Sequence, residues 1–278
     1  MNYNMQKPFS KNKFFNAQIE DYLISIAEKT IKYIHGNEIT KLNNKNDGTL
    51  LTAADLALDN IIYESLKKIN PSIPILSEER HFSNKLFQQQ QYWLIDPIDG
   101  TNSYYKGGEE YTINIAFIDR GKPIVGLIAH PPTNKIWLAN KNSLYLHENQ
   151  VKKVLKNSHT EDLNNEFNII VSNESNNKLK NFLSRINNKK IIKVSSSLKF
   201  CYLAMNIAHL YPRFSIIKKW DIAAGHAILE ASGGVISDLE GKNFNYSYPS
   251  EESLEFLAYS SVGCKNKGLF ISKIKNLI

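Results

Sequence analysis

The first part of the chain has two stretches with apolar residues at helical spacing, over residues 14–35 and 53–69. This spacing predicts two amphipathic helices, separated by a polar loop over residues 43–49. Two short apolar runs follow, at residues 73–76 and 92–95, and each ends directly in acidic residues. Both runs are predicted to be buried strands, so the sequence places carboxylates at strand ends.

The pattern changes to period two at Tyr111, where polar and apolar residues alternate. Such alternation is typical of a strand with one buried face. A turn at residues 120–122 and further apolar runs at residues 124–129 and 136–139 predict an antiparallel meander. Residues 150–166 are basic, polar and without periodicity, which is typical of a linker.

Predicted strands and helices alternate beyond residue 166. The strands are predicted at residues 167–171, 191–194, 209–214, 235–239 and 256–260, and the helices at residues 176–186, 198–206 and 222–231, with one more helix near the C-terminus. The fold class is therefore mixed: an α+β first half over residues 14–150 and an α/β second half over residues 166–278. We expect the halves to pack as one unit spanning residues 1–278.

Composition and charge exclude several classes of protein. A hydrophobic fraction of 42% in 278 residues is enough for a sizeable core, and a charged fraction of 22% argues against global disorder. The formal net charge is +7, carried by lysines scattered among asparagines. This charge fits a solvated surface or attraction of a polyanionic substrate, and both remain open. No nucleic-acid motif or aromatic-basic interleaving occurs, so no nucleic-acid partner is expected.

Cysteine usage and apolar content predict a soluble, cytoplasmic protein. Cys201 and Cys264 are the two cysteines, and they lack the spacing of a metal site or of a disulfide framework. Residues 1–13 lack the apolar stretch of a secretory signal, and no apolar window is long enough to span a membrane.

The most informative feature is the placement of four carboxylates. Glu78 and Asp96 follow buried strands, Asp99 comes three residues after Asp96, and Asp221 lies where a helix begins. Acids at strand ends are held rigidly yet stay reachable from solvent, which suits a hard cation that prefers oxygen ligands. A chain turn at Pro97 would let Asp96 and Asp99 point the same way. The carbonyl of Ile98 could then add a further ligand.

The residues after Asp99 suit a phosphate group. Gly100 permits a tight turn, and Thr101 would open a short helix whose free N–H groups could receive a phosphate oxygen. Metal ions held by the acids would activate water for attack on phosphorus. Asp55 and Thr101 are candidates for accepting the proton of that water, since a threonine bonded to a carboxylate can relay it.

Each acid also has a structural explanation. Asp99-Gly100 is a common turn, Asp221 could cap a helix, and Thr52 with Asp55 resembles a capping box. Taken together, however, clustered carboxylates must be neutralised by a cation or raise their pKa values. A phosphatase site with two or three metal ions explains the whole set.

At these residues the chain resembles the inositol monophosphatase superfamily of magnesium-dependent, lithium-sensitive phosphatases, from about residue 17 to the end. The landmarks are Asp47-Gly48-Thr49, residues 52–55, Ser77-Glu78-Glu79, residues 93–101, residues 111–116 and residues 220–225. The resemblance implies a layered α-β-α-β-α sandwich of the inositol monophosphatase and fructose bisphosphatase type. It also implies metal ligands at Glu78, Asp96, Ile98, Asp99 and Asp221, a water-activating pair at Asp55 and Thr101, and phosphate donors at Gly100 and Thr101.

Within the superfamily, the chain is most similar to the CysQ group of 3'(2'),5'-bisphosphate nucleotidases, which convert 3'-phosphoadenosine 5'-phosphate to AMP and phosphate in sulfur metabolism. The similarity lies at residues 76–79, 196–201 and 210–214. It implies a small anionic substrate that contacts the metal-site residues Glu78, Ile98, Asp99 and Asp221. Lys199 or Arg213 could hold its second phosphate, although each could also be a helix-end or surface charge.

The chain departs from the CysQ pattern at Asn102-Ser103-Tyr104, beside the phosphate site, and at Leu50, where proline is usual. The alternatives are an inositol or other sugar monophosphate phosphatase and a non-catalytic binding protein on the same fold. The resemblance also allows a monomer or a homodimer, and peripheral attachment to the cytoplasmic face of the inner membrane.

Overall fold

The computed structural model describes residues 17–45, 50–141, 143–155, 166–173, 176–253 and 255–274. Both N-terminal helices are confirmed, as α1 (Ala17–Gly36) and α2 (Ala53–Ile69). The polar loop predicted between them is wrong in part, because strands β1 (Lys41–Asn44) and β2 (Leu50–Thr52) form an antiparallel hairpin there. All four residues of β1 are exposed, so this strand has no buried face that would produce an alternating pattern. Residues 14–16, and the landmark at residues 47–49, lie outside the described residues.

A seven-stranded sheet follows, with its strands in chain order. The strands are β3 (Ile75–Ser77), β4 (Gln91–Asp99), β5 (Thr112–Asp119), β6 (Lys122–His130), β7 (Lys135–Asn140), β8 (Ser143–Glu148) and β9 (Val151–Val154). Strands β3 and β4 are parallel, and every later pair is antiparallel, which confirms the predicted meander. The sheet also extends into the predicted linker, because β9 is a mostly exposed edge strand without apolar periodicity.

The second half carries a second sheet, and a short helix α3 (Thr101–Tyr105) precedes it in the chain, after β4. The remaining elements are β10 (Phe167–Val171), α4 (Asn177–Ser184), β11 (Lys189–Lys193), α5 (Leu198–Ala204), β12 (Leu210–Arg213), α6 (Trp220–Ala231), β13 (Val235–Asp238), β14 (Phe256–Tyr259) and α7 (Lys267–Ile274). The five strands form this sheet in the order β11-β10-β12-β14-β13. Each of these elements lies within a few residues of its predicted position.

Three apolar cores separate the layers. Helices α1 and α2 cover one face of the seven-stranded sheet. Helices α5 and α6 fill the space between the two sheets, and α4 and α7 cover the outer face of the five-stranded sheet. The layered α-β-α-β-α sandwich is thereby confirmed. Among the residues described, none of the helices is both long and apolar enough to cross a bilayer.

Helix α6 packs directly against the backbone of β6. A Cβ atom on Gly126 of β6 would lie 2.2 Å from the carbonyl oxygen of Ala224, so only glycine permits this approach. The contact fixes the start of α6, where Asp221 lies, relative to the seven-stranded sheet that carries Asp96.

Candidate active site

Strand β4 ends in a bulge that aligns two carboxylates. Asp96 pairs with Asn114 and Asp99 pairs with Thr112, so β4 takes three steps where β5 takes two. Residues three apart on a regular strand face opposite sides, and the extra residue of a bulge reverses this relation. Asp96 and Asp99 therefore line the same cavity. The expected turn at Pro97 is wrong, because the strand continues through that residue to Asp99.

Three carboxylates from separate elements converge at this cavity. Glu78 follows β3, Asp96 lies on β4 and Asp221 lies in the first turn of α6, and one oxygen of each lies within 4.8 Å of the others. Asp221 is not the helix cap, because the cap position is Lys219. Its Oδ2 atom instead accepts the backbone N–H of Lys218 at 3.1 Å.

The electrostatics of the cluster favour a bound cation. Burial raises the pKa of Asp96 well above its usual range, and the neighbouring carboxylates raise it further. The pKa of Asp221 is raised in the same way, by burial and then by Asp99 and Glu78. Neither oxygen of Asp96 accepts a hydrogen bond from any described residue. Buried carboxylate oxygens that accept no hydrogen bond are suited to coordinate a hard divalent ion such as Mg²⁺, which prefers oxygen ligands.

Lys45 is a cation of the site that the sequence did not reveal. It follows β1, and its Nζ atom lies 2.6 Å from Glu78 Oε1 and 2.6 Å from Glu79 Oε1. Burial alone would lower the pKa of Lys45, but the two carboxylates raise it overall. Burial raises the pKa of Glu79 to about 7. In the sequence Lys45 belongs to an asparagine-lysine run that resembles an ordinary surface segment.

Asp55 and Thr101 lie together, as the water-activating hypothesis requires. The Thr101 hydroxyl lies 3.2 Å from Asp55 Oδ1 and 3.0 Å from the carbonyl oxygen of Ile98, and it can donate to either. The other carboxylate oxygen of Asp55 accepts the N–H and the hydroxyl of Thr52, both at 2.6 Å. The capping box is thus confirmed, and it orients the carboxylate with one oxygen toward Thr101. Burial raises the pKa of Asp55, which makes it a stronger base.

Gly100 is required by the backbone between Asp99 and helix α3. Its φ angle is +97°, a left-handed conformation that favours glycine, and a Cβ atom would lie 2.7 Å from the carbonyl oxygen of Glu110. Helix α3 begins at the next residue, Thr101, as predicted.

Asp99 is hydrogen-bonded to two polar residues, Ser197 and Asn114, to which the sequence pattern assigned no role. Ser197 Oγ lies 2.7 Å from Asp99 Oδ2 and 2.8 Å from the carbonyl oxygen of Asp221, and it accepts from Asn114 Nδ2 at 2.9 Å. Asn114 also lies 3.4 Å from Asp99 Oδ2. This network joins β5, α5 and α6 around one carboxylate, across sequence separations that no local pattern reveals.

A second cavity adjoins the carboxylates, and its lining includes three basic residues, Lys106, Lys199 and Arg213, beside the acidic residues Asp99, Glu110 and Asp221. The carboxylate cavity measures about 600 Å³, and the second, here called the arginine cavity, about 400 Å³. Arg213 donates from Nη1 to Ser172 Oγ at 2.9 Å, while its Nε atom is buried without a described partner. Lys199 also lines the arginine cavity, but its Nζ donates to the carbonyl oxygens of Ser196 at 2.5 Å and Val194 at 3.4 Å. Arg213 therefore has more free donors than Lys199.

Five residues line both cavities and join them: Asp99, Gly100, Asn102, Lys106 and Asp221. Lys106 is exposed, so it supplies a third cation that the sequence did not single out. Tyr211 and Trp220 are 2% and 5% exposed, so both belong to the apolar core.

Residues 16–275 match the profile of the family described as inositol monophosphatase family. The chain belongs to this family. The resemblance found at the residues of the acidic cluster is thereby confirmed, and so is the fold that it implied.

Curated relatives within the family include two CysQ proteins. The chain is 37% identical over 212 residues to the 3'(2'),5'-bisphosphate nucleotidase CysQ of Shigella flexneri, a match that covers 76% of this chain and 85% of the relative. It is also 37% identical over 224 residues to the CysQ of Buchnera aphidicola, covering 80% and 84% respectively.

Solved structures share the fold at lower identity. CysQ from Bacteroides thetaiotaomicron superposes with a TM-score of 0.72 at 22% identity, covering 87% of this chain and 97% of that one. An inositol monophosphatase/NADP phosphatase complexed with Mg²⁺ and phosphate gives a TM-score of 0.76 at 20% identity, covering 93% and 95%.

Proposed function

We propose that the chain is a Mg²⁺-dependent 3'(2'),5'-bisphosphate nucleotidase, which removes the 3'-phosphate of 3'-phosphoadenosine 5'-phosphate. The observation that carries this proposal is the arginine cavity beside the carboxylate cluster, where Arg213 keeps guanidinium N–H groups free. A substrate with two phosphates needs one site for the phosphate that leaves and a separate positive site for the phosphate that stays. The 37% identity to two CysQ nucleotidases supports the same substrate class.

Glu78, Asp96, Asp99, Asp221 and the carbonyl oxygen of Ile98 would hold two or three Mg²⁺ ions. Bound there, Mg²⁺ supplies charge stabilisation to the phosphate oxygens and lowers the pKa of a coordinated water. The ligand atoms also explain the choice of ion, since Glu78, Asp96 and Asp221 each offer a carboxylate oxygen, the ligand that Mg²⁺ prefers.

Asp55 and Thr101 would carry the proton transfer. The Thr101 hydroxyl donates its hydrogen to Asp55 Oδ1 while it accepts a proton from the attacking water, and the raised pKa of Asp55 favours this uptake. The water oxygen then bonds to phosphorus as the bond to the 3'-oxygen breaks, and the 3'-oxygen leaves with that electron pair and takes a proton from solvent to become the 3'-hydroxyl of AMP. Gly100 and Thr101 would donate backbone N–H groups to the departing phosphate.

Arg213 would hold the 5'-phosphate in the arginine cavity through the guanidinium N–H groups that Ser172 leaves free. Lys199 lies beside it and adds positive charge, although its ammonium group already binds two carbonyl oxygens.

Phosphate release is the direct test. The purified chain is given 3'-phosphoadenosine 5'-phosphate or inositol 1-phosphate under Mg²⁺, and kcat/KM is measured for each. The Asp55→Asn variant, prepared identically, controls for contaminating phosphatases. We expect the nucleotide to be hydrolysed with the higher kcat/KM. A higher value for inositol 1-phosphate would assign the chain to the monophosphate phosphatases of the family instead.

A further inference from the structure

Helix α2 carries a second buried carboxylate one turn after Asp55. Asp59 is 3% exposed, and residues four apart lie on the same face of a helix. The proposed chemistry uses Asp55 but gives Asp59 no role. The sequence pattern does not indicate a role for Asp59 either, because a single acid within an amphipathic helix resembles a surface residue.

Asp59 binds both ends of the turn that carries Glu78 and Glu79. Its Oδ1 atom accepts the Ser77 hydroxyl at 2.6 Å, and its Oδ2 atom accepts Arg80 Nε at 2.6 Å. Ser77 directly precedes Glu78, and Arg80 directly follows Glu79. The turn itself is closed by the Arg80 N–H, which donates to the carbonyl oxygen of Ser77 at 3.2 Å.

Both partners of Asp59 are held in place by further contacts. The Arg80 guanidinium lies 3.7 Å from the centre of the Tyr63 ring and donates from Nη2 to Asn60 Oδ1 at 2.7 Å. The Ser77 hydroxyl oxygen also accepts the backbone N–H of Glu79, with 3.3 Å between nitrogen and oxygen. Asp59 therefore binds two residues that are themselves fixed by other contacts, Ser77 and Arg80. The backbone of Glu78 lies between these two partners in the sequence.

We propose that Asp59 is a positioning residue that sets the geometry of Glu78 for binding a divalent cation. One rigid helix then places both parts of the site, since Asp55 contacts Thr101 and Asp59 fixes the Glu78 turn. The inference rests on the proposed metal site but not on the identity of the substrate. Residues that orient a metal ligand typically change metal affinity by about 10- to 100-fold when they are replaced.

The test is Mn²⁺ binding to the purified full chain by isothermal titration calorimetry, without substrate. Asp59→Asn keeps the shape of the side chain but removes the charge that holds Arg80. We expect its Kd for Mn²⁺ to rise by about 10- to 100-fold, and the Mg²⁺ concentration for half-maximal phosphate release to rise in parallel. The kcat at saturating Mg²⁺ should change much less. Arg80→Met should weaken Mn²⁺ binding in the same direction.

Glu20→Gln is the matched control. Glu20 is also a buried carboxylate bound to a cation, with Lys152 Nζ at 2.6 Å, but it ties α1 to strand β9 instead of to the acidic cluster. Its replacement should lower the melting temperature and leave the Mn²⁺ Kd unchanged. A wild-type Kd in Asp59→Asn, or equal losses in Asp59→Asn and Glu20→Gln, would overturn the role of Asp59. A wild-type chain that binds no Mn²⁺ would refute the metal site itself.

Discussion

Asp55 and Thr101 lie 46 residues apart in the sequence, yet the hydroxyl of one lies 3.2 Å from the carboxylate of the other. Asp55 comes from a helix on one face of the seven-stranded sheet, and Thr101 starts the short helix that follows β4. Their contact is the geometry that a proton relay requires.

The relay predicts a clear difference between two replacements of Thr101. Thr101→Ala removes the hydroxyl, so kcat should fall by about 10²- to 10⁴-fold, the usual contribution of general base catalysis. Thr101→Ser keeps the hydroxyl and should retain most of the rate. The measurement is kcat at saturating substrate and Mg²⁺. Equal losses in both variants would indicate a packing role for the methyl group instead of proton transfer.

Asp96→Asn should separate the stability of the chain from its activity. Without metal, the buried and unpartnered carboxylate destabilises the fold, so the amide should raise the free energy of unfolding at pH 8 by about 1–3 kcal/mol. That corresponds to a rise in melting temperature of about 2–4 °C per kcal/mol. Phosphate release should be lost, and so should the stabilisation by added Mg²⁺. An active Asp96→Asn variant would contradict the metal role.

The stability of the metal-free chain should fall as the pH rises. Burial raises the pKa of Glu79 from 4.5 to about 7, and it also raises the pKa values of Asp96 and Asp221. A carboxyl group with a higher pKa in the folded chain binds more protons there than in the unfolded chain. The free energy of unfolding therefore falls from the unfolded pKa upward, through the folded pKa.

Melting temperatures between pH 5 and pH 8 measure this effect, in the presence of a chelator. We expect the lower melting temperature at pH 8, and a larger rise on adding Mg²⁺ at pH 8 than at pH 5, because the ion neutralises the ionised cluster. If the melting temperature of the metal-free chain instead rises with pH, burial does not raise the pKa values of these carboxyl groups.

Arg213→Ala should discriminate between substrates with one and two phosphates. A charge-assisted hydrogen bond contributes about 1.5–3 kcal/mol, so the KM for 3'-phosphoadenosine 5'-phosphate should rise by about 10- to 150-fold. The KM for 3'-AMP, which lacks the 5'-phosphate, should change little. Because Arg213 also lowers the pKa of Asp221, the Mg²⁺ dependence of each reaction serves as the control. Equal changes for both nucleotides would remove Arg213 from the second-phosphate site.

The sequence predicted those elements that have one buried face. The meander from Tyr111 and the helix at residues 53–69 were found because burial imposes a period on apolar residues. Strands β1 and β9 were not found, since most of their side chains are exposed and nothing imposes alternation. The acids at strand ends were found because charge after an apolar run is conspicuous in any sequence.

The residues that surround the acids could not be predicted in the same way. Lys45 reaches Glu78 from 33 positions away, and Asn114 reaches Ser197 from 83 positions away. Such contacts depend on how the layers pack, and no local pattern records them. The bulge between Asp96 and Asp99 is likewise a property of strand pairing, so the sequence suggested a turn at Pro97 instead.

Glu78, Asp96 and Asp221 should share divalent cations, and anomalous scattering from crystals grown with Mn²⁺ can locate such ions. We expect at least one strong anomalous peak within coordination distance of all three carboxylates, and its disappearance in Asp96→Asn crystals. Ordered crystals in saturating Mn²⁺ that show no peak between these carboxylates would refute the metal site.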